Sequence, residues 1–216
     1  MRAILEIVQK ELNPLGYTRT KTSFHKTERE FYKLIHFQKG AHGGGYFFVN
    51  VCFHPIGLPQ LLIRRLSIPK TPLEYECIVR QRIEEVVGGI LDEKFKGELV
   101  GWNDPKVAAE LVCKLPNEIQ NWFAKWASHD ALLKASERDL ENLVTTVVPK
   151  LKRKAIQMLW FFCALKSNDK LNARRWLQEY LKTEVAGLEF PEVDSYLKSL
   201  ASQSELDEPT ITRTTS

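Results

Sequence analysis

Cysteine and histidine are the side chains of this chain that could bind a metal ion or act as nucleophiles. Cys52 and His54 lie two residues apart on one predicted strand, so they share a face, and His36 lies on the preceding strand. Zinc accepts such ligands, but no fourth ligand is evident. The sequence therefore favours a buried cysteine and a strand-end histidine over a metal site.

The cysteines do not form a recognisable reactive motif. There are four of them, without a C-x-x-C spacing: Cys52, Cys77, Cys113 and Cys163. A catalytic cysteine needs an accessible thiolate with a lowered pKa, whereas each of these has apolar neighbours. We interpret all four as reduced, buried thiols, and we predict no catalytic residue, no metal and no cofactor.

A short glycine-rich run occupies residues 40–45. A phosphate-binding loop needs such glycines to lead into the N-terminus of a helix. Here they lead into a predicted strand that begins near Phe47. The run is therefore predicted to be a hairpin loop.

Positive charge is concentrated in the first part of the chain. Residues 1–82 hold 13 Lys or Arg residues against 6 Asp or Glu residues, whereas residues 101–216 hold 16 of each kind. A basic surface would attract an acidic partner over a long range, and salt would weaken the attraction. The candidate binding residues are cations and amides of this part, namely Arg19, Lys21, Gln38, Asn50, Arg64, Arg65, Arg80 and Arg82.

A basic sheet with aromatic side chains could also hold a nucleic-acid backbone and stack bases. The formal net charge of the whole chain is only +4, which is less basic than a dedicated nucleic-acid-binding protein would be. A second basic cluster at residues 150–154 opens a predicted helix, where positive charge opposes the helix dipole. That cluster is either a solvated first turn or part of a binding surface.

Strand patterns precede helical patterns, an order typical of α+β proteins. Phe47, Val49, Val51 and Phe53 alternate as one buried strand face. We predict a single α+β domain over residues 1–202. Residues 1–103 form an N-terminal helix and an antiparallel sheet of about four strands. Residues 104–202 form a helical bundle packed on that sheet, and residues 203–216 form a disordered tail.

Several element boundaries follow from the same patterns. Helix caps are predicted at Ser128, Ser136 and Asn168-Asp169. Tyr17–Lys26 is predicted to form one edge strand and Glu74–Glu84 another strand. Pro116 should kink or split the first helix of the second half, because proline cannot donate a helical hydrogen bond. The segment Lys150–Lys166 is apolar nearly all round from Met158 to Leu165, which predicts a buried helix.

The sequence gives no sign of export or membrane insertion. Glu6 interrupts the apolar residues at the N-terminus, so we predict no signal peptide. The run Met158–Leu165 is far shorter than the roughly 20 residues that a membrane span needs. Together with reduced cysteines, this predicts a cytoplasmic protein without a membrane partner.

Short motifs in the first half carry a family resemblance. They are Leu12-Asn13-Pro14-Leu15-Gly16-Tyr17, Phe24, Phe37-Gln38, Phe47-Phe48-Val49-Asn50-Val51, and Glu76-Cys77 with Arg80 and Arg82. With the helices that follow, up to residue 182, they resemble the bacterial domain-of-unknown-function 4304 family. The resemblance implies a short helix ending in a Pro-Leu-Gly-aromatic turn, followed by a sheet with an aromatic-rich Val-Asn strand. It implies no activity.

We therefore expect a non-enzymatic bacterial domain that binds another protein, with an immunity or defence system as one setting. The basic sheet suits a partner with a neutral or acidic surface. Two alternatives stay open: nucleic-acid association through residues 1–82, and an enzyme whose site the sequence does not reveal. The enzyme hypothesis gains weight if Gln38, Asn50, Arg80 and Arg82 converge in a cleft.

Overall fold

The fold begins with a helix that ends in a tight turn. The computed structural model describes residues 2–39, 47–61, 65–83, 105–146 and 148–204, apart from the side chains of residues 2, 3, 39, 47 and 105–115. Helix α1 spans Arg2–Leu12 and continues as a 3-10 turn over Asn13–Leu15. Gly16 follows with a φ of 85°, which glycine adopts without a steric cost. The predicted end of this helix is confirmed.

The sheet has five antiparallel strands that are neighbours in chain order. They are β1 (Thr18–Thr20), β2 (Ser23–Glu28), β3 (Phe31–Lys39), β4 (Phe47–Pro55) and β5 (Val79–Arg82). The predicted antiparallel sheet is confirmed, with five strands rather than four. The segment predicted as one strand, Tyr17–Lys26, instead folds back on itself as β1 and β2, with Lys21 at a φ of 55° in the turn.

The prediction of a strand over Glu74–Glu84 is wrong for its first part. Glu74–Glu76 form a 3-10 turn, and β5 begins only at Val79. The carboxylate of Glu76 closes this turn, because its Oε2 accepts a hydrogen bond of 2.7 Å from the backbone N of Leu73. The glycine run at 40–45 and residue 84 lie outside the described residues.

The second half contributes six helices within the described residues. They are α2 (Pro105–Trp126), α3 (His129–Lys134), α4 (Glu137–Leu143), α5 (Lys152–Lys166), α6 (Lys170–Lys182) and α7 (Pro191–Gln203). Ser128, Ser136 and Asp169 cap α3, α4 and α6 by accepting hydrogen bonds from backbone N–H groups of the first turn. Pro116 is predicted to kink or split this helix. Helix α2 continues through Pro116, so the helix is not split there.

One face of the sheet and the helices share a continuous core. Val49, Val51 and Phe53 of β4 are fully buried there. The ring of Phe53 lies 5.4 Å from that of Trp122 in α2, and Nε1 of Trp122 donates to Oε1 of Gln81 in β5 at 2.8 Å. The predicted packing of helices on the sheet is confirmed.

Helix α5 lies at the centre of the bundle. Every side chain from Lys154 to Ala164 is buried, as its nearly all-round apolar pattern predicts. The ring of Trp160 stacks on Trp176 of α6 with 4.2 Å between centroids. Among the described residues, no helix combines the length and apolar character that crossing a bilayer requires. Of the predicted disordered tail, residues 205–216 lie outside the described residues.

Candidate binding site

The sheet face directed away from the helices carries most of the predicted binding residues. Cross-strand pairing places Asn50 of β4 between His36 of β3 and Arg82 of β5, and it places Cys52 beside Arg80. Directly paired residues project to the same side of a sheet. We call this surface the outer sheet face and define it by Ser23, His36, Gln38, Phe48, Asn50, Arg80 and Arg82.

Two side-chain contacts organise one end of the outer sheet face. The guanidinium carbon of Arg82 lies 4.0 Å from the ring centroid of Phe48, which is a cation–π contact. Beside it, Nδ2 of Asn50 donates to Oε1 of Gln38 at 3.1 Å. Asn50 is buried, whereas Gln38 and Arg82 are exposed. This end of the outer sheet face therefore carries the exposed guanidinium of Arg82 and the exposed amide of Gln38, which is held by the buried side chain of Asn50.

Arg80 is held by the turn that crosses the same face. Its Nη1 donates to Oε1 of Glu74 at 2.7 Å, and the Glu74 side chain is only 11% exposed. The hydroxyl of Thr145 donates to the backbone O of Arg80 at 3.2 Å. The positive charge of Arg80 is therefore balanced within the protein.

A serine and a histidine extend the polar surface on the other side of Asn50. Oγ of Ser23 lies 2.8 Å from Nδ1 of His36. Burial lowers the pKa of His36, and the negative charge of Glu74 opposes that effect only in part. The ring is therefore neutral near pH 7 and adds hydrogen-bonding capacity without adding charge.

His54, which the sequence analysis interprets as a strand-end histidine rather than a metal ligand, has backbone partners at both ring nitrogens. Its Nε2 donates to the backbone O of Leu58 at 3.0 Å, and its Nδ1 accepts from the backbone N of Ile78 at 3.3 Å. Burial lowers the pKa of His54 to about 4. Within the described residues, no group of three or more His, Cys, Asp or Glu side chains could hold a metal ion.

The described cysteines are buried thiols, as the apolar context of each predicts. They are Cys52, Cys77 and Cys163, whereas the side chain of Cys113 lies outside the described residues. Cys52 and Cys77 are far apart in sequence but pack in one small cluster with Tyr32. Burial raises the pKa of Cys52, and a hydrogen bond to Cys77 raises it further. A thiol in that setting is a poor nucleophile.

A protein-family model matches the part of the chain that builds this face. The model is described as a domain of unknown function, DUF4304, and it matches residues 8–153. The chain belongs to this family. The match includes all five strands and ends in the first turn of α5, so it is shorter than the resemblance up to residue 182. No curated protein and no solved structure matches the chain.

Four of the predicted binding residues of this DUF4304 chain converge on the outer sheet face: Gln38, Asn50, Arg80 and Arg82. They occupy a strand surface on which Gln38 and Arg82 are exposed. Catalysis benefits from a cleft that excludes water from the reacting groups. Among the described residues, these four therefore share a strand surface rather than a cleft.

The remaining predicted binding residues lie elsewhere. Arg19 is on the helix side of β1, where its Nη1 donates to Oε1 of Gln9 in α1 at 3.1 Å. Lys21 lies in the turn between β1 and β2, and Arg65 lies in the irregular segment after β4. Arg64 is outside the described residues. The positive charge of the first half is therefore divided between both sides of the sheet.

Two further lysines of the first half lie on the helix side and share one carboxylate there. Lys26 donates to Oε1 of Glu28 at 2.8 Å, and Lys33 donates to the other carboxylate oxygen. These two hydrogen bonds lower the pKa of Glu28 to about 2. Neither lysine can contribute to a basic patch on the outer sheet face.

The sequence-based site omits two residues that organise the outer sheet face, Phe48 and Glu74. Phe48 could have been found, because it alternates with the buried residues Val49 and Val51 and so shares a face with Asn50. Glu74 could not, because the predicted strand over Glu74–Glu84 conceals the turn that brings it to Arg80.

Three lysines of the second basic cluster, at and just before the start of α5, make structural contacts. Nζ of Lys150 donates to the backbone O of Ala186 at 2.9 Å, and Nζ of Lys152 donates to that of Glu141 at 2.8 Å. Nζ of Lys154 reaches the backbone O atoms of Tyr180 and Thr183, at 2.7 and 3.0 Å. The latter carbonyls end α6, where positive charge is favourable, so these lysines tie neighbouring elements to α5.

Proposed function

We propose that this DUF4304 protein is a non-enzymatic binding domain that recognises another protein through the outer sheet face. The observation that carries the proposal is the placement of Arg82 over Phe48, next to the Asn50–Gln38 pair. Arginine and aromatic side chains supply much of the binding energy in protein interfaces. A guanidinium fixed by a ring presents its donors in one plane, which suits a carboxylate.

An exposed apolar residue lies on the turn that reaches Arg80. Leu73 precedes Glu74, the ion-pair partner of Arg80, and is 53% exposed. Protein interfaces combine such apolar and aromatic anchors with a polar rim. The partner that fits best has an apolar contact residue beside an Asp, a Glu or a terminal carboxylate.

Nucleic-acid association is the weaker alternative. Phosphate binding needs several cations on one surface. Among the described residues, Arg19, Lys26 and Lys33 lie on the helix side, and Arg80 is paired with Glu74. This arrangement offers too few phosphate contacts on the outer sheet face to favour a nucleic acid over a protein.

The proposed setting is the cytoplasm of a bacterium, with an immunity or defence system as its narrower form. A reducing compartment suits Cys52, Cys77 and Cys163, which are buried thiols. A neutral or acidic partner suits the positive charge of Arg82 at one end of the face.

The proposal is tested by capture followed by a direct binding measurement. The full chain is immobilised, proteins retained from a lysate of the source organism are identified, and each is purified and titrated against the wild type. We expect Arg82→Glu to weaken binding of the true partner by at least about 100-fold, because the variant opposes its carboxylate. Lys134→Glu, which reverses an exposed charge on α3, is the matched control and should bind like the wild type.

The alternatives give different results in the same experiment. Retardation of single- or double-stranded nucleic acid at low salt, lost in Arg82→Glu, would replace the protein partner by a nucleic acid. If the purified partners bind the wild type and Arg82→Glu equally, the outer sheet face is not the binding surface and the proposal is wrong.

A further inference from the structure

A cavity of about 530 Å³ lies between the irregular segment after β4 and the first half of α5. Its floor is formed by buried apolar residues, including Ile78, Ala155 and Met158. Small-molecule sites in proteins commonly occupy about 300–1,000 Å³. Tyr75 lines this cavity, whereas the neighbouring Glu74 reaches the outer sheet face. The two sites therefore lie on opposite sides of one turn.

Three polar side chains in the cavity wall, those of His54, Thr145 and Thr146, are engaged within the protein. Both ring nitrogens of His54 have backbone partners. The hydroxyls of Thr145 and Thr146 donate to the backbone O atoms of Arg80 and Val148, at 3.2 and 2.9 Å. Gln60 and Tyr75 add polar atoms to the wall, whereas the floor formed by Ile78, Ala155 and Met158 is apolar and suits a hydrocarbon group.

The rim of the cavity differs from its floor. Arg65 lines it with an exposed side chain, and this guanidinium makes no hydrogen bond or ion pair with any residue that the structure describes. The acidic group that shares the lining, Glu76, has its Oε2 bound by the backbone N of Leu73 at 2.7 Å. A cation at the mouth of an apolar cavity is complementary to an apolar molecule that ends in an anion.

We propose that this cavity binds an apolar monocarboxylic acid, with the hydrocarbon on the floor formed by α5 and the carboxylate at Arg65. A medium-chain alkanoate such as octanoate is a simple member of that class. The cavity is separate from the outer sheet face, so this inference goes beyond the proposed protein recognition and does not depend on it.

The test is calorimetric titration of the full chain with hexanoate, octanoate and 1-octanol. Each buried CH₂ group should tighten binding about fourfold, so octanoate should bind roughly 15-fold more tightly than hexanoate. Arg65→Met should weaken octanoate binding about tenfold while leaving 1-octanol unchanged, because only the acid uses the cation. Arg153→Met removes an exposed arginine of α5 outside the cavity lining and serves as the matched control.

Two cavity-filling variants complete the experiment. Ala155→Phe should abolish binding of both octanoate and 1-octanol, and its thermal unfolding shows whether it still folds. Leu61→Trp fills the cavity from the opposite wall and gives the same test if Ala155→Phe does not fold. Absence of saturable octanoate binding, equal affinity for hexanoate and octanoate, or full binding in a folded cavity-filling variant would each overturn the proposal.

Discussion

Arg82 and Phe48 form a stacked pair on adjacent strands, with 4.0 Å between the guanidinium carbon and the ring centroid. The pair sits at the exposed end of β5, beside the buried amide of Asn50. The contact restrains a long, flexible side chain in one orientation, and this is the property that a recognition residue needs.

The first prediction concerns the planar shape of the Arg82 guanidinium. Arg82→Lys keeps the charge but loses the planar guanidinium and its paired donors. We expect partner affinity to fall about tenfold, with the melting temperature within 1–2 °C of the wild type because the side chain is exposed. Titration of the purified partner measures the first effect and differential scanning calorimetry the second. Unchanged affinity in Arg82→Lys would mean that charge alone, and not the stacked group, is recognised.

The second prediction compares a lysine that makes structural contacts at the start of α5, Lys154, with the neighbouring exposed Arg153. Lys154→Met removes the ammonium donor from the backbone O atoms of Tyr180 and Thr183. Among the described residues, only the O of Tyr180 keeps a second donor, the backbone N of Thr183, so we expect a loss of about 1–3 kcal/mol in the free energy of unfolding. Arg153→Met, at the neighbouring exposed position, should change it by less than about 0.5 kcal/mol. Urea unfolding of both variants measures the difference. Equal stability of the two variants would show that the lysine contacts contribute nothing.

Local patterns predicted those elements whose form depends on residues that are close in sequence. The caps Ser128, Ser136 and Asp169 need only a backbone N–H in the first turn, and the structure places each at a helix start. The buried helix α5 follows from its composition, since no polar side is left to face water between Met158 and Ala164.

The errors arose where a turn interrupts a predicted strand without a residue that marks turns. The turn between β1 and β2 is built on Lys21 with a positive φ, and lysine is not a residue that marks such turns. Glu74–Glu76 alternates like a strand, yet the Glu74–Arg80 ion pair and the Glu76–Leu73 hydrogen bond make it a turn. Charge counting likewise could not show that the sheet cations divide between two faces.

The third prediction concerns the core of the sheet. Val51→Ala removes two methyl groups from a fully buried position on β4, so we expect a loss of about 1–3 kcal/mol in the free energy of unfolding. Val49→Ala should behave alike, because Val49 is equally buried on the same side of the strand. Thr27→Ala, at an exposed position of β2, is the control. Thermal unfolding of Val51→Ala and Val49→Ala that matches the wild type would mean that the buried face of β4 is assigned wrongly.

The last prediction concerns the pH dependence that His54 gives to folding. Burial lowers the pKa of His54 from 6.5 to about 4, because the imidazolium is poorly solvated inside the protein. Its Nδ1 must also stay unprotonated to accept the hydrogen bond from the backbone N of Ile78. As the pH falls, the unfolded chain therefore takes up this proton before the folded chain does.

The sign and size of the effect follow from that order. Stability from the neutral ring is complete above pH 6.5 and is lost as the pH falls toward 4. The loss is about 1.4 kcal/mol per pH unit, or about 3 kcal/mol in total. His54→Gln has no group that titrates in this range, so its free energy of unfolding should fall less steeply than that of the wild type. Urea unfolding at intervals from pH 7 to 4 compares the two slopes. Parallel curves would show that His54 takes up its proton equally in the folded and unfolded chain, which contradicts the buried, doubly hydrogen-bonded ring.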